Sequence, residues 1–138
     1  MAELAGSTTE QNLRLALARE AETSRRYLYF AQQADVEGRP EAAALFRSAA
    51  ESETGHALGH LDFLADLPDP MTGVEQGETD DHLTIAAATE RDEADRFYPG
   101  IAATARAEGL TEIADWLDQL VEAEGQLADR FRAAVDDH

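Results

Sequence analysis

The chain has 138 residues, a hydrophobic fraction of 43%, no cysteine and a formal net charge of −18. That length suits one domain with a core of its own, and the absence of cysteine excludes disulfides, thiolate metal sites, iron–sulfur clusters and cysteine nucleophiles. All 11 basic residues are arginines, outnumbered by 29 acids, and such a field repels nucleic acid and anionic membranes.

Four amphipathic stretches follow one another. The first spans about Thr9 to Glu37, with Leu13, Leu17, Glu20, Tyr27 and Phe30 near one face. Ser7 and Glu10 are spaced as a capping box, and Gly38 supplies the stop. The second opens at Pro40, a favoured first helical position, and runs to about Leu64 through Phe46, Ala49, Glu53 and His56. Asp66 to Gly77, with Pro68, Pro70 and Gly73, reads as a loop long enough to cross the end of a bundle. The third helix starts near Thr79, taken as its N-cap, and ends at Gly109. Thr111 caps the fourth, which runs to about Val135. Short turns within each pair and a long link between pairs predict an all-α protein, a four-helix bundle with one crossover connection.

The two pairs are copies of one pattern. Glu53-Thr54-Gly55-His56 recurs 71 positions later as Glu124-Gly125-Gln126-Leu127, and the same shift maps Tyr27 onto Tyr98 and Gly38 onto Gly109. The chain is therefore one domain over residues 1–138 containing a pseudo-repeat, 9–66 and 79–136. One irregularity stands out: Glu20 precedes Tyr27 by seven residues, whereas Glu90 precedes Tyr98 by eight. An inserted residue, such as a π turn, would return Glu90 to the face that Glu20 occupies. Pro99 lies alongside and forfeits a backbone bond to Asp95, so a kink is expected there.

Polar residues on the otherwise apolar faces are Glu20, Glu53, His56, Glu90, Glu93 and Glu124. A Glu and a His at i, i+3 project from one helix face, where an oxygen and a nitrogen can bind the same metal ion. Ionised carboxylates gathered among Leu and Phe cost several kcal/mol each without compensation, and no arginine falls on their stripes. Two divalent ions would supply the missing charge. The alternative for these residues is a solvated acidic face, which the duplication and the apolar neighbours disfavour. Oxygen and nitrogen ligands suit iron, manganese or zinc. In the repeat frame Leu127 stands where His56 does, so the second half lacks a nitrogen ligand and the two metal positions are expected to be unequal. His60, His82 and His138 read as surface residues, and Trp116, Phe46 and Phe63 as core.

The chain resembles the rubrerythrin family of ferritin-like proteins. Carrying the resemblance are Asn12-Leu13 leading to Glu20, Tyr27-x-Tyr29-Phe30-Ala31, Glu51-x-Glu53-x-x-His56-Ala57, Glu90-x-x-Glu93 before Tyr98-Pro99, and Glu122-Ala123-Glu124 leading to Arg130-Phe131. It implies a ferritin-like bundle with a non-haem di-iron site that reduces hydrogen peroxide or oxygen. By position, Glu53 and Glu124 would bridge, Glu20 and Glu90 would be terminal, and His56 and Glu93 would exchange at one iron as its charge changes. Tyr27 and Tyr98 would hydrogen-bond ligand carboxylates. The resemblance further implies at least a homodimer, and an external electron-donor protein, because no Cys-x-x-Cys rubredoxin module is present in the sequence. Manganese or zinc in place of iron, an iron-binding or ferroxidase-type buffer without efficient turnover, and a bundle with a decayed site are the competing readings. No stretch reads as a secretory signal or membrane span, so a cytoplasmic location is expected.

Overall fold

The computed structural model describes residues 2–136; His138 lies outside them. Every regular element is helical: α1 (Thr8–Val36), α2 (Pro40–Leu64), α3 (Thr79–Asp92), a π-helical turn (Glu93–Phe97), α4 (Tyr98–Ala107) and α5 (Thr111–Asp136). The third long helix is thus α3, the π turn and α4 in series. The chain divides into two compact units, Met1–Leu67 and Pro68–His138, and the division falls in the link between the two predicted repeats. Among the described residues no helix is long and apolar enough to cross a membrane.

In the first unit, α1 packs along α2. The buried side chains are mostly small: α2 buries Ala43, Ala50, Ala57 and Leu64, one every seven residues, and α1 buries Ser24, Ala31 and Ala34. A seven-residue repeat keeps one stripe facing the partner helix, and alanine allows close approach. At one end, Tyr27 and Phe30 meet Phe46 with ring centroids 6.0 and 5.5 Å apart, and Arg47 pairs with Asp35 across the helices.

The second unit repeats the device, α3, the π turn and α4 all packing on α5. Ala87, Ala94, Ala102 and Ala105 are buried on one side, Ala114 and Ala128 on the other. Arg91 ties α3 to α5 by donating to Gly125 O at 3.3 Å and to Asp129 at 2.6 Å. Arg106 ties α4 to α5 through Asp115 and Asp118, at 3.1 and 2.8 Å. The link is ordered by Asp69, whose carboxylate accepts from the Thr72 N–H and hydroxyl while Gly73, at φ +72°, turns the chain.

Local sequence signals account for most helix ends. Ser7 Oγ accepts from Glu10 N at 3.0 Å, and the Glu10 carboxylate accepts from Gly6 N at 2.9 Å. Pro40 opens α2, and Gly38 turns at φ +72° between α1 and α2. Two expectations shift. Glu78, not Thr79, precedes the first turn of α3, its N–H donating to Asp81 at 3.0 Å, because a carboxylate three residues on offers a reciprocal cap. Trp116 and Phe63 are 57% and 65% exposed rather than core, since the seams are already filled by alanine.

The Ser7 cap yields a direct check. Ser7→Ala should lower stability by about 1 kcal/mol, read as a drop in Tm. The Gly6 N–H, and after it Arg14, hold the Glu10 carboxyl below its usual range. Its contribution is therefore present above the ordinary glutamate range and fades as pH falls through the lowered value. Glu10→Gln should flatten that acid limb of the Tm–pH curve.

Candidate metal centre

The six candidate ligands fall into two triads, one on each hairpin. Ligand atoms of Glu20, Glu53 and His56 lie within 4.8 Å of one another, as do those of Glu90, Glu93 and Glu124. In the first triad, α1 provides Glu20 and α2 provides Glu53 and His56. His56 Nδ1 sits between the carboxylates, 3.7 Å from Glu20 Oε1 and 3.6 Å from Glu53 Oε2. The two acids stand beside the alanine seam rather than within it. Their side chains are 26% and 27% exposed, and the His56 ring is 60% exposed. The burial assumed from sequence is therefore partial, because alanine occupies the stripe that faces the partner helix.

The second triad depends on the π turn. The Tyr98 N–H reaches back to Glu93 O, five residues away, where an α-helix would join residues four apart. This is the extra residue inferred from the spacing of Glu90 and Tyr98. Pro99 falls in the first turn of α4, so the bond it cannot make lies where the ladder changes spacing. With the insertion in place, Glu90 and Glu93 share a face with Glu124 of α5. Glu90 Oε2 is buried with no hydrogen-bond partner. Three carboxylates in mutual reach and a buried oxygen without a donor form a site that fits a cation.

Leu127 occupies the position three residues after Glu124 and is half-buried against Leu83 and Phe131. Gln126 turns away to Glu122 at 3.4 Å. Tyr27 stacks in the aromatic cluster of the first hairpin, and Tyr98 contacts Phe97 at 5.2 Å between centroids. His82 is exposed. His60 departs from its reading as a surface residue: it is 26% exposed, and its Nε2 lies 3.0 Å from Glu20 Oε2. The signal was available, since His60 follows His56 by four residues and so shares its helix face.

The rubrerythrin family model matches residues 11–135. The chain belongs to the rubrerythrin family. It is 35% identical to a rubrerythrin of Porphyromonas gingivalis, the match covering 94% of this chain and 67% of that protein. It is 33% identical to a rubrerythrin of Nitratidesulfovibrio vulgaris, covering 95% and 71%. A putative rubrerythrin of Methanocaldococcus jannaschii is 31% identical over 90% of this chain and 67% of its own length. Membership places the chain in the ferritin-like, all-α class, and the matched span includes both triads. As a rubrerythrin-family chain it carries residues able to hold metal on both hairpins, with an imidazole on the first alone.

That asymmetry predicts unequal binding. Anaerobic titration with ferrous ion should resolve a tighter site, removed by His56→Ala, and a weaker one. Leu127→His should strengthen the weaker site by restoring a nitrogen donor, at a packing cost of about 1–3 kcal/mol. Two equal sites in the wild type with no gain in the variant would contradict the reading of Leu127.

Proposed function

We propose that the chain is a non-haem di-iron carboxylate oxidoreductase that reduces hydrogen peroxide or oxygen. The observation that carries the reading is the gathering of five carboxylates and one imidazole into two compact triads. Like charges held this close repel unless a cation compensates them. Oxygen donors with a single nitrogen suit iron, with manganese or zinc as substitutes. Iron, when bound, supplies the electrons, one from each of two ferrous ions, that with two protons convert peroxide to two waters.

The protein's part is to hold and retune that metal. Glu20, Glu53, Glu90 and Glu124 are proposed as its fixed carboxylate ligands. His56 and Glu93 are proposed as the side chains whose engagement follows the charge on the iron, an oxygen anion suiting the ferric ion and a neutral imidazole the ferrous. The 60% exposure of the His56 ring leaves it room to swing. Tyr27 and Tyr98, at equivalent repeat positions, would steady ligand carboxylates through their hydroxyls. The whole chain is read as one ferritin-like domain built from a duplicated hairpin, working in the cytoplasm as a homodimer. Electrons would come from a separate donor protein.

The test is a cycle rather than a single turnover. Ferrous-loaded protein mixed anaerobically with hydrogen peroxide should develop ferric absorbance faster than free ferrous ion, and a reduced electron-donor protein should bleach it again. Glu53→Gln and Glu124→Gln should each lose most of the oxidation rate. Oxidation that occurs once and is not reversed would mark an iron buffer; oxidation no faster than in free solution would exclude both.

Metal loading also reports on stability. A ligand that binds only the folded state at a hundredfold excess over its Kd adds about 2.7 kcal/mol. Tm should therefore rise with ferrous or zinc ion and fall on chelation, and the shift should vanish in a variant with Glu53 and Glu124 both replaced by Gln.

A further inference from the structure

The contact between His60 and Glu20 is unused by the reading above. Both belong to the first hairpin, Glu20 on α1 and His60 on α2 one turn beyond His56. His60 Nε2 and Glu20 Oε2 lie 3.0 Å apart. Each of these atoms is fully buried, and neither makes an aligned hydrogen bond among the described residues, not even to the other. Left so, two buried polar atoms each carry a desolvation cost, and at 3.0 Å a small turn of the imidazole that lines its N–H up on the oxygen relieves both. The other oxygen of the same carboxylate, Oε1, faces His56 Nδ1 at 3.7 Å. Glu20 is thus gripped between two imidazoles, one oxygen toward each.

We infer that His60 is a positioning residue for the first triad: its Nε2–H donates to Glu20 Oε2 and so aims Oε1 at the metal position shared with Glu53 and His56. The inference rests on the metal reading of that triad. His60 as a further ligand is the competing role, and the geometry opposes it. The ligand atoms of Glu20, Glu53 and His56 all fall within 4.8 Å of one another, and His60 lies outside that set. A donor on the far oxygen removes the freedom of a long side chain to rotate away from the ion. Groups that orient metal ligands in this way are worth about ten- to a hundredfold in affinity. The arrangement belongs to one hairpin, because in the repeat frame Phe131 stands where His60 does and Leu127 where His56 does. The nitrogen-bearing triad is therefore also the one whose terminal carboxylate is held in place.

The test uses the full chain and zinc ion, followed by NMR of the His56 ring so that only the first triad is read. His60→Leu should weaken zinc binding there by about ten- to a hundredfold, with helix content unchanged by circular dichroism. His60→Gln, whose amide can donate to Glu20, should recover most of the loss. In the wild type, long-range nitrogen–proton spectra should show His60 protonated on Nε2 with and without zinc. In protein loaded with cadmium-113, His56 should show metal–nitrogen coupling and His60 none. Wild-type affinity in His60→Leu, a His60 ring without a proton on Nε2, or cadmium coupling to His60 would each overturn the inference. If His60→Leu fails to fold, the Gln variant and the wild-type spectra decide on their own. A wild-type chain whose His56 signals ignore zinc would instead overturn the metal reading, and this inference with it.

Discussion

Close approach of helices along alanine seams is the constraint on which the rest of the structure depends. With Ala43, Ala50 and Ala57 buried every seventh residue on α2, the first hairpin brings its backbones near enough for a glutamate on α1 to meet a glutamate and a histidine on α2. The second hairpin does the same through Ala87, Ala94, Ala114 and Ala128. Bulkier seam residues would move the helices apart and, with them, the oxygens that now lie within 4.8 Å of one another. Small residues in the seam also leave large ones outside it. That is why Trp116 and Phe63 are exposed although their hydrophobicity suggests a core.

Set beside those seams, the acids create an electrostatic problem that the polypeptide leaves unsolved. Three arginines of the second hairpin are engaged elsewhere: Arg91 with Asp129 and Gly125, Arg96 with Asp92, Arg106 with Asp115 and Asp118. None is committed to Glu90, Glu93 or Glu124. The exposed ion pairs trim the surface charge, and they keep each of these cations away from the triad. On the metal reading proposed above, a site so arranged leaves its carboxylates to a cation rather than neutralising them internally. The same logic separates the halves. The first triad has a histidine of its own and a second histidine against Glu20, while the second has carboxylates alone.

Much of this was legible in the residues. The 71-residue shift exposed the repeated pattern and, with it, Leu127 at the place of His56. The Ser7–Glu10 spacing gave the first cap because capping is local, settled by atoms three residues apart. The π turn was readable from a count, seven residues against eight, because an insertion that left Glu90 facing away would separate it from Glu124. Burial was less legible. His60 read as a surface residue because a lone histidine four places after another carries no charge pattern of its own. Its role depends on Glu20, 40 positions earlier on another helix.

The sequence by itself determined the helices, most of their ends, the repeat pattern and the six candidate ligands, since all of these follow from periodicity and short-range hydrogen bonding. Tertiary structure alone decided which oxygen of Glu20 faces which imidazole, how far the acids are buried, and that alanines rather than aromatics fill the seams. Those outcomes are set by the distance between helices, a quantity that no single helix encodes. It emerges only when two stripes of small side chains meet.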